Sequence, residues 1–188
     1  MNRDENKFRE KLTEWDRKSL DDRVERWKQI VPAIYDVPLP ELVWGYLSEV
    51  DEMYIAGHFI GVVLLCAGIA ELVLADQIRV RTGMTAREVE RFTLEQLAIL
   101  GRRLSVVEEA EMGRLNELRK QRNYLVHGKA GRLAQMAKKR YRASGPDDSF
   151  LNAEFYVRSG FAGGIDQDAC QHLRLIRDLT VRFYGAKP

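Results

Sequence analysis

One stretch constrains this chain more than any other: "IAGHFIGVVLLCAGIAELVL", residues 55–74, the most apolar segment of the protein. From Phe59 to Ala70 it runs 12 residues without a charge, and His58 and Glu71 bracket that run. A membrane span wants about 20 apolar residues, so the run is too short, and a helix that is apolar all round is otherwise the buried centre of a bundle. The expectation is therefore a soluble helical bundle built around this segment. Gly57 and Gly61 stand in GxxxG spacing, which lets a neighbouring helix approach closely. His58 is expected to be a hydrogen-bonded core or interface histidine, since polar groups in such surroundings must find partners.

The rest of the chain reads as helices arranged around that centre. With 188 residues, 45% hydrophobic and 31% charged, against 5 Pro and 14 Gly, it suits one helix-rich domain with its own core. Residues 1–40 form an expected N-terminal amphipathic helical extension, with Phe8, Leu12, Trp15 and then Val24, Trp27, Val31, Ile34 in helical spacing. The register slips between the two sets, and Ser19 with Asp22 looks like a cap that restarts a second helix. "DVPLPE" at 36–41 is the clearest break, with Pro40 suited to the first turn of the next helix. From 41 to 82 the pattern is helical again. Thr85 with Glu88, Thr93 with Gln96 and Ser105 with Glu108 have capping-box spacing, the last opening a long helix over about 106–127. Asp166 caps a final helix on which Leu173, Ile176, Thr180 and Phe183 share a face. The fold class is all-α, a bundle of four to five core helices over 41–188 with extra N-terminal helices. Cys66 and Cys170 make no disulfide framework, and "MNRDENKFREK" lacks the apolar core of a signal peptide, so a cytoplasmic setting is expected.

Candidate chemistry gathers late in the chain. Residues 1–100 hold 13 basic and 18 acidic side chains, a net of −5, whereas 101–188 hold 17 and 10, a net of +7. A small total charge can thus conceal a basic surface that attracts polyanions. None of His58, His127 and His172 has metal-ligand spacing to another, and no nucleophile elbow, P-loop or dinucleotide fingerprint occurs. No metal or cofactor is expected. His172 is expected at the surface or packed at the C-terminal end.

In "RLNELRKQRNYLVHG" (114–128), Leu115, Leu118, Arg122 and Leu125 share a stripe, so Arg122 stands where the pattern asks for an apolar residue. A guanidinium there costs several kcal/mol unless it is paired or opens onto a ligand. Either it pairs with a core carboxylate, Glu71 being the obvious one, or it faces a site. His127 follows near the helix end, where the dipole raises an imidazole's basicity. After it, Lys129, Arg132, Lys138, Lys139, Arg140 and Arg142 give +6 with no acidic residue, and Tyr141 stands among them. That segment either tracks a nucleic-acid backbone or forms a solvated basic helix against the acidic half.

Arg122-Asn123-Tyr124-Leu125-Val126-His127 resembles the motif of the HEPN superfamily: Arg, a polar residue, a short spacer, then His. The preceding "EVDEMYIAGHFIGVVLLCAGIAELVL" is similar to the second helix of these domains, "FTLEQLAILGRRL" to a linking helix, and "LNELRKQRNYLVHG" to the motif helix. The likeness spans roughly 41–130 and takes in the C-terminal helix, with the first 40 residues and the loop-like 143–165 outside it. It implies an HEPN-like bundle and a metal-independent endoribonuclease, a toxin or defence effector, acting as a homodimer with a composite site. Catalytic roles then fall to His127 as general acid or base, Arg122 as the phosphate clamp and Asn123 as the orienting group. Glu71 and Tyr124 support them, Tyr124 by a hydroxyl or stacking face or by dimer packing. Partners implied are RNA, a second copy and an antitoxin or other regulatory protein, with no membrane. The alternative is a non-catalytic HEPN-like interaction or nucleotide-binding module, in which Arg122 pairs with Glu71 and His127 caps its helix. On a continuous helix the five-residue separation puts Arg122 and His127 about 140° apart. They face one site only if the helix loosens near Val126 or two chains contribute crosswise.

Overall fold

A computed structural model describes residues 3–30, 37–126 and 165–185. All of the described regular structure is helical: α1 (Arg3–Ile30), α2 (Glu41–Ala56), α3 (Phe59–Thr82), α4 (Ala86–Val89), α5 (Leu94–Arg103), α6 (Glu109–Val126) and α7 (Ile165–Thr180), which runs on as a π-helical turn, Val181–Gly185. The all-α expectation holds.

The apolar segment is the axis of the bundle. α3 packs against α2, α4, α5, α6 and α7. It buries residues in every part of its length, from Phe59 and Val62 through Cys66, Ile69 and Val73 to Ile78. As a 24-residue helix it is long and apolar enough to cross a membrane, which corrects the reading of its 12-residue charge-free run as too short, yet half of its most apolar window is covered by its own neighbours. The surrounding helices each offer one stripe, as a half-exposed helix must. On α2 it is Val43, Leu47, Val50 and Tyr54; on α7 it includes Leu173, Ile176 and Thr180, with Phe183 partly buried beyond them.

Several sequence expectations are corrected. No second helix starts at Ser19: α1 is continuous from Arg3 to Ile30, because a cap signal in a strongly helical run does not by itself break it. The segment 41–82 is two helices. Gly57 adopts the left-handed conformation (φ +83°) that closes α2, and α3 starts two residues later. Gly57 is thus a helix stop. Gly61 is the packing glycine, since a Cβ there would lie 2.9 Å from Met53 Sδ on α2. His58 is exposed at the N-cap of α3 and makes no capping bond, so it is no core histidine. Pro40 occupies the N-cap of α2 rather than its first turn.

The capping boxes at Thr85 and Thr93 form: Thr85 N donates to Glu88 Oε2 (2.8 Å) and Thr93 N to Gln96 Oε1 (2.9 Å), each returned by the threonine hydroxyl. The one at Ser105 does not. Ser105 lies at φ +55°, and the amides of Val106 and Val107 turn back onto Gly101 O (2.7 and 3.2 Å). Both valines are buried there, which uses three residues as a turn and delays α6 to Glu109. Glu108 then opens α6, its amide donating to Glu111 Oε2 (2.8 Å). Asp166 lies within the first turn of α7 rather than before it.

The end of α1 is bound into the bundle rather than appended to it. Arg26 Nε donates to Ile55 O (2.8 Å), satisfying a carbonyl at the C-terminus of α2, and its guanidinium lies 5.8 Å from the Phe59 ring centre. Gln29 Oε1 accepts from the Tyr54 hydroxyl (2.5 Å). Arg177 on α7 donates both to Ile30 O and to Asp51, so one guanidinium ties α1, α2 and α7 together. Arg177 and Asp51 are 11% and 13% exposed. Burial pushes the Asp51 carboxyl above its usual range, and the Arg177 charge only partly offsets this.

Candidate functional site

The motif helix α6 packs on α3, with α5 along one flank and α7 along the other. Leu115 and Leu118 are fully buried, and Leu125 is partly buried against the core. Arg122, Asn123 and Tyr124 follow in the last turn before Val126, all half-buried. Arg122 does occupy an inward-leaning position of an otherwise leucine stripe, as its spacing indicates.

What Arg122 touches sets it apart. Its Nη1 donates to Asn123 Oδ1 at 3.3 Å. The other cations of α6 each meet a carboxylate: Arg114 with Asp178 (3.3 Å), Arg119 with Glu95 (2.9 Å) and Lys120 with Glu117 (2.7 Å). Among the described residues Arg122 has none, and no ion pair joins it to Glu71, which is half-buried on α3. The pairing that would make Arg122 a purely structural residue is absent there. A guanidinium cannot lose its charge, so this position keeps a cation beside an asparagine and a tyrosine at the end of a buried stripe.

His127 and the basic residues Lys129, Arg132, Lys138, Lys139, Arg140 and Arg142 lie outside the described residues, as do Tyr141 and the segment 143–164.

A polar chain missed in the sequence crosses from α6 to α7. Gln121, beside Arg122, donates from Nε2 to Asp168 Oδ2 (2.8 Å), and its Oε1 meets His172 Nε2 at 2.9 Å. A carboxylate only accepts, which fixes the amide's orientation and makes His172 the donor through Nε2. His172 is 5% exposed on the last helix, so of the two positions expected for it the packed one holds and the surface one does not. Burial holds its imidazole below the ordinary histidine range; Asp168 pulls upward, Arg114 downward and Glu117 upward. The clue was available, for Asp168 and His172 are one turn apart on the face of α7 that turns toward α6.

Both cysteines are buried and unpaired, and burial pushes the Cys66 thiol up, with the Asp51 carboxylate adding to it. Among the described residues no cluster of three or more His, Cys, Asp or Glu is placed to hold a metal ion. Compared with family models, with curated proteins and with solved structures, the chain finds no match.

Proposed function

We propose that the chain is an HEPN-type endoribonuclease that cuts RNA by attack of its own 2′-hydroxyl, at a site completed by a second copy. The observation that carries this reading is the Arg122 guanidinium, the one cation on α6 without a carboxylate partner among the described residues. Transesterification at a phosphate needs three things: a base for the 2′-hydroxyl proton, an acid for the departing 5′-oxygen, and a cation for the charge on the crowded phosphate oxygens. Arg122 suits the third role, since a planar guanidinium can donate two parallel hydrogen bonds to phosphate oxygens. Asn123 Oδ1 accepts one of its N–H groups and so orients it. His127 takes the base and acid roles, one from each copy about a twofold axis. The basic residues from Lys129 to Arg142 follow directly in sequence and suit an RNA backbone.

The test is RNA cleavage in EDTA by the wild-type protein, Arg122→Ala and His127→Ala, with folding of each checked by circular dichroism. Loss of cutting in both folded variants is expected. Cutting that survives either substitution removes that residue from the mechanism.

A further inference from the structure

The flank of α6 turned toward α5 carries a groove of about 350 Å³. Ala98, Ile99 and Met112 are among its apolar lining, and Glu95, Asn116 and Arg119 supply its polar groups. The volume is at the small end of ligand pockets, suited to one planar ring system rather than a drug-sized molecule. Arg119 is three residues before Arg122, so the two guanidinium-bearing positions are neighbours on the helix, about 4.5 Å apart along its axis.

The polar lining is fixed and has capacity to spare. Arg119 donates through Nη1 to Glu95 Oε2 (2.9 Å) and through Nε and Nη2 to Asn116 Oδ1 (3.3 and 2.9 Å). These bonds lock the guanidinium, whose flat faces can stack on a ring. They consume the Asn116 carbonyl but leave its two N–H donors, and they leave Glu95 Oε1 as an acceptor, with no partner for either among the described residues. A rigid cationic plane, an apolar floor, and one donor and one acceptor at the edge together match a nucleobase. A carboxylate accepts an exocyclic amine, as on adenine or cytosine, and repels the two carbonyl oxygens that flank the N–H of uracil.

We infer that the α5–α6 groove is a subsite for a nucleobase bearing an exocyclic amine, held next to the phosphate that Arg122 takes. The choice of RNA as ligand rests on the ribonuclease reading; the fit of a base to the groove rests on the groove's own residues. Base and phosphate then lie on one helix, Arg119 stacking, Asn116 and Glu95 reading the base edge, and Arg122 binding the charge. A guanidinium lying over a ring contributes about 0.5 kcal/mol where exposed to about 2 kcal/mol where desolvated, roughly a two- to 30-fold change in affinity.

The experiment is a titration of the full chain with AMP, CMP, UMP and ribose 5-phosphate, read from the NMR signals of the Met112 and Ile99 methyl groups. Gly113→Leu serves as a blocked groove. Gly113 lines it, and a Cβ there meets nothing within 4 Å, so the new side chain enters open space at an exposed position of α6. Glu95→Gln tests the edge. Expected are methyl shifts with AMP and CMP that exceed those with UMP, weakening of about fivefold or more in Gly113→Leu, and a narrower gap between CMP and UMP in Glu95→Gln. Methyl signals that do not move, or that move equally with ribose 5-phosphate, overturn the inference. A stronger response to an amphipathic helical peptide than to any nucleotide also overturns it, and assigns the groove to a protein partner. If nucleotides bind as described while folded protein leaves RNA intact, the base subsite stands and the catalytic reading fails.

Discussion

Two partly buried arginines offer a direct comparison, because one is paired with a carboxylate and the other, among the described residues, is not. Arg177 is paired with Asp51 and also serves Ile30 O, both groups being almost wholly covered. In Arg177→Met, Asp51 stays behind as a buried charge, and its Oδ1 already lacks a hydrogen-bond partner among the described residues. Breaking such a pair costs about 3–5 kcal/mol, and at roughly 2–4 °C per kcal/mol for a chain of this size the melting temperature drops by about 6–20 °C. Arg122→Met, by contrast, gives up one 3.3 Å bond to Asn123 and strands no carboxylate among the described residues. Its cost stays near or below about 1 kcal/mol. Urea denaturation at pH 7, with RNA cleavage measured on the same preparations, separates the two. Arg177→Met loses stability and, where folded, retains activity; Arg122→Met loses activity and retains stability. The Arg177→Met deficit should also narrow as pH falls, because a protonated Asp51 is no longer a buried charge. Equal destabilisation by the two substitutions would refute the assignment of Arg122 as a cation held for a ligand.

Two further outcomes follow from packing and titration. His172 has a folded-state pKa below its unfolded value of about 6.5. Its contribution is therefore complete above that pH and is lost as pH falls through the folded pKa, where the unfolded chain binds the extra proton. Unfolding free energies from pH 8 to 5 should fall more steeply for the wild type than for His172→Gln, and parallel curves would remove His172 as the cause. Among glycines, Gly68→Ala should stabilise by about 0.5–1 kcal/mol, since a Cβ there meets nothing within 4 Å inside a helix. Gly101→Ala should destabilise by about 1–3 kcal/mol, because its Cβ would lie 2.8 Å from Cγ2 of buried Val107. Thermal melts of the two variants moving in the same direction would contradict this packing.

The helices were legible wherever pattern and local chemistry agreed. The all-round apolar run predicts a central α3, and two threonine boxes set the starts of α4 and α5. Errors arose where tertiary contacts decided between local options. Ser105 carries a cap signal, but burying Val106 and Val107 beneath Gly101 turned the chain there instead. Gly57 looked like a packing residue and proved to be a left-handed stop, with Arg26 from a distant helix satisfying the carbonyl of Ile55. In the site, the sequence alone located Arg122 on an inward-leaning position, since spacing is a one-dimensional property. It could not decide whether Glu71 reaches Arg122, nor that Gln121 bridges His172 and Asp168, nor that Arg119, Asn116 and Glu95 form one rim. Those depend on how α5 and α7 lie along α6.

The most direct measurement of the central claim is end-group analysis of RNA incubated with the purified protein in EDTA. Fragments ending in 2′,3′-cyclic phosphate with 5′-hydroxyl partners are expected from the wild type, and none from Arg122→Met of equal stability. Intact RNA in the presence of folded wild-type protein would contradict it, as would 5′-phosphate ends, which attack by the RNA's own 2′-hydroxyl cannot produce.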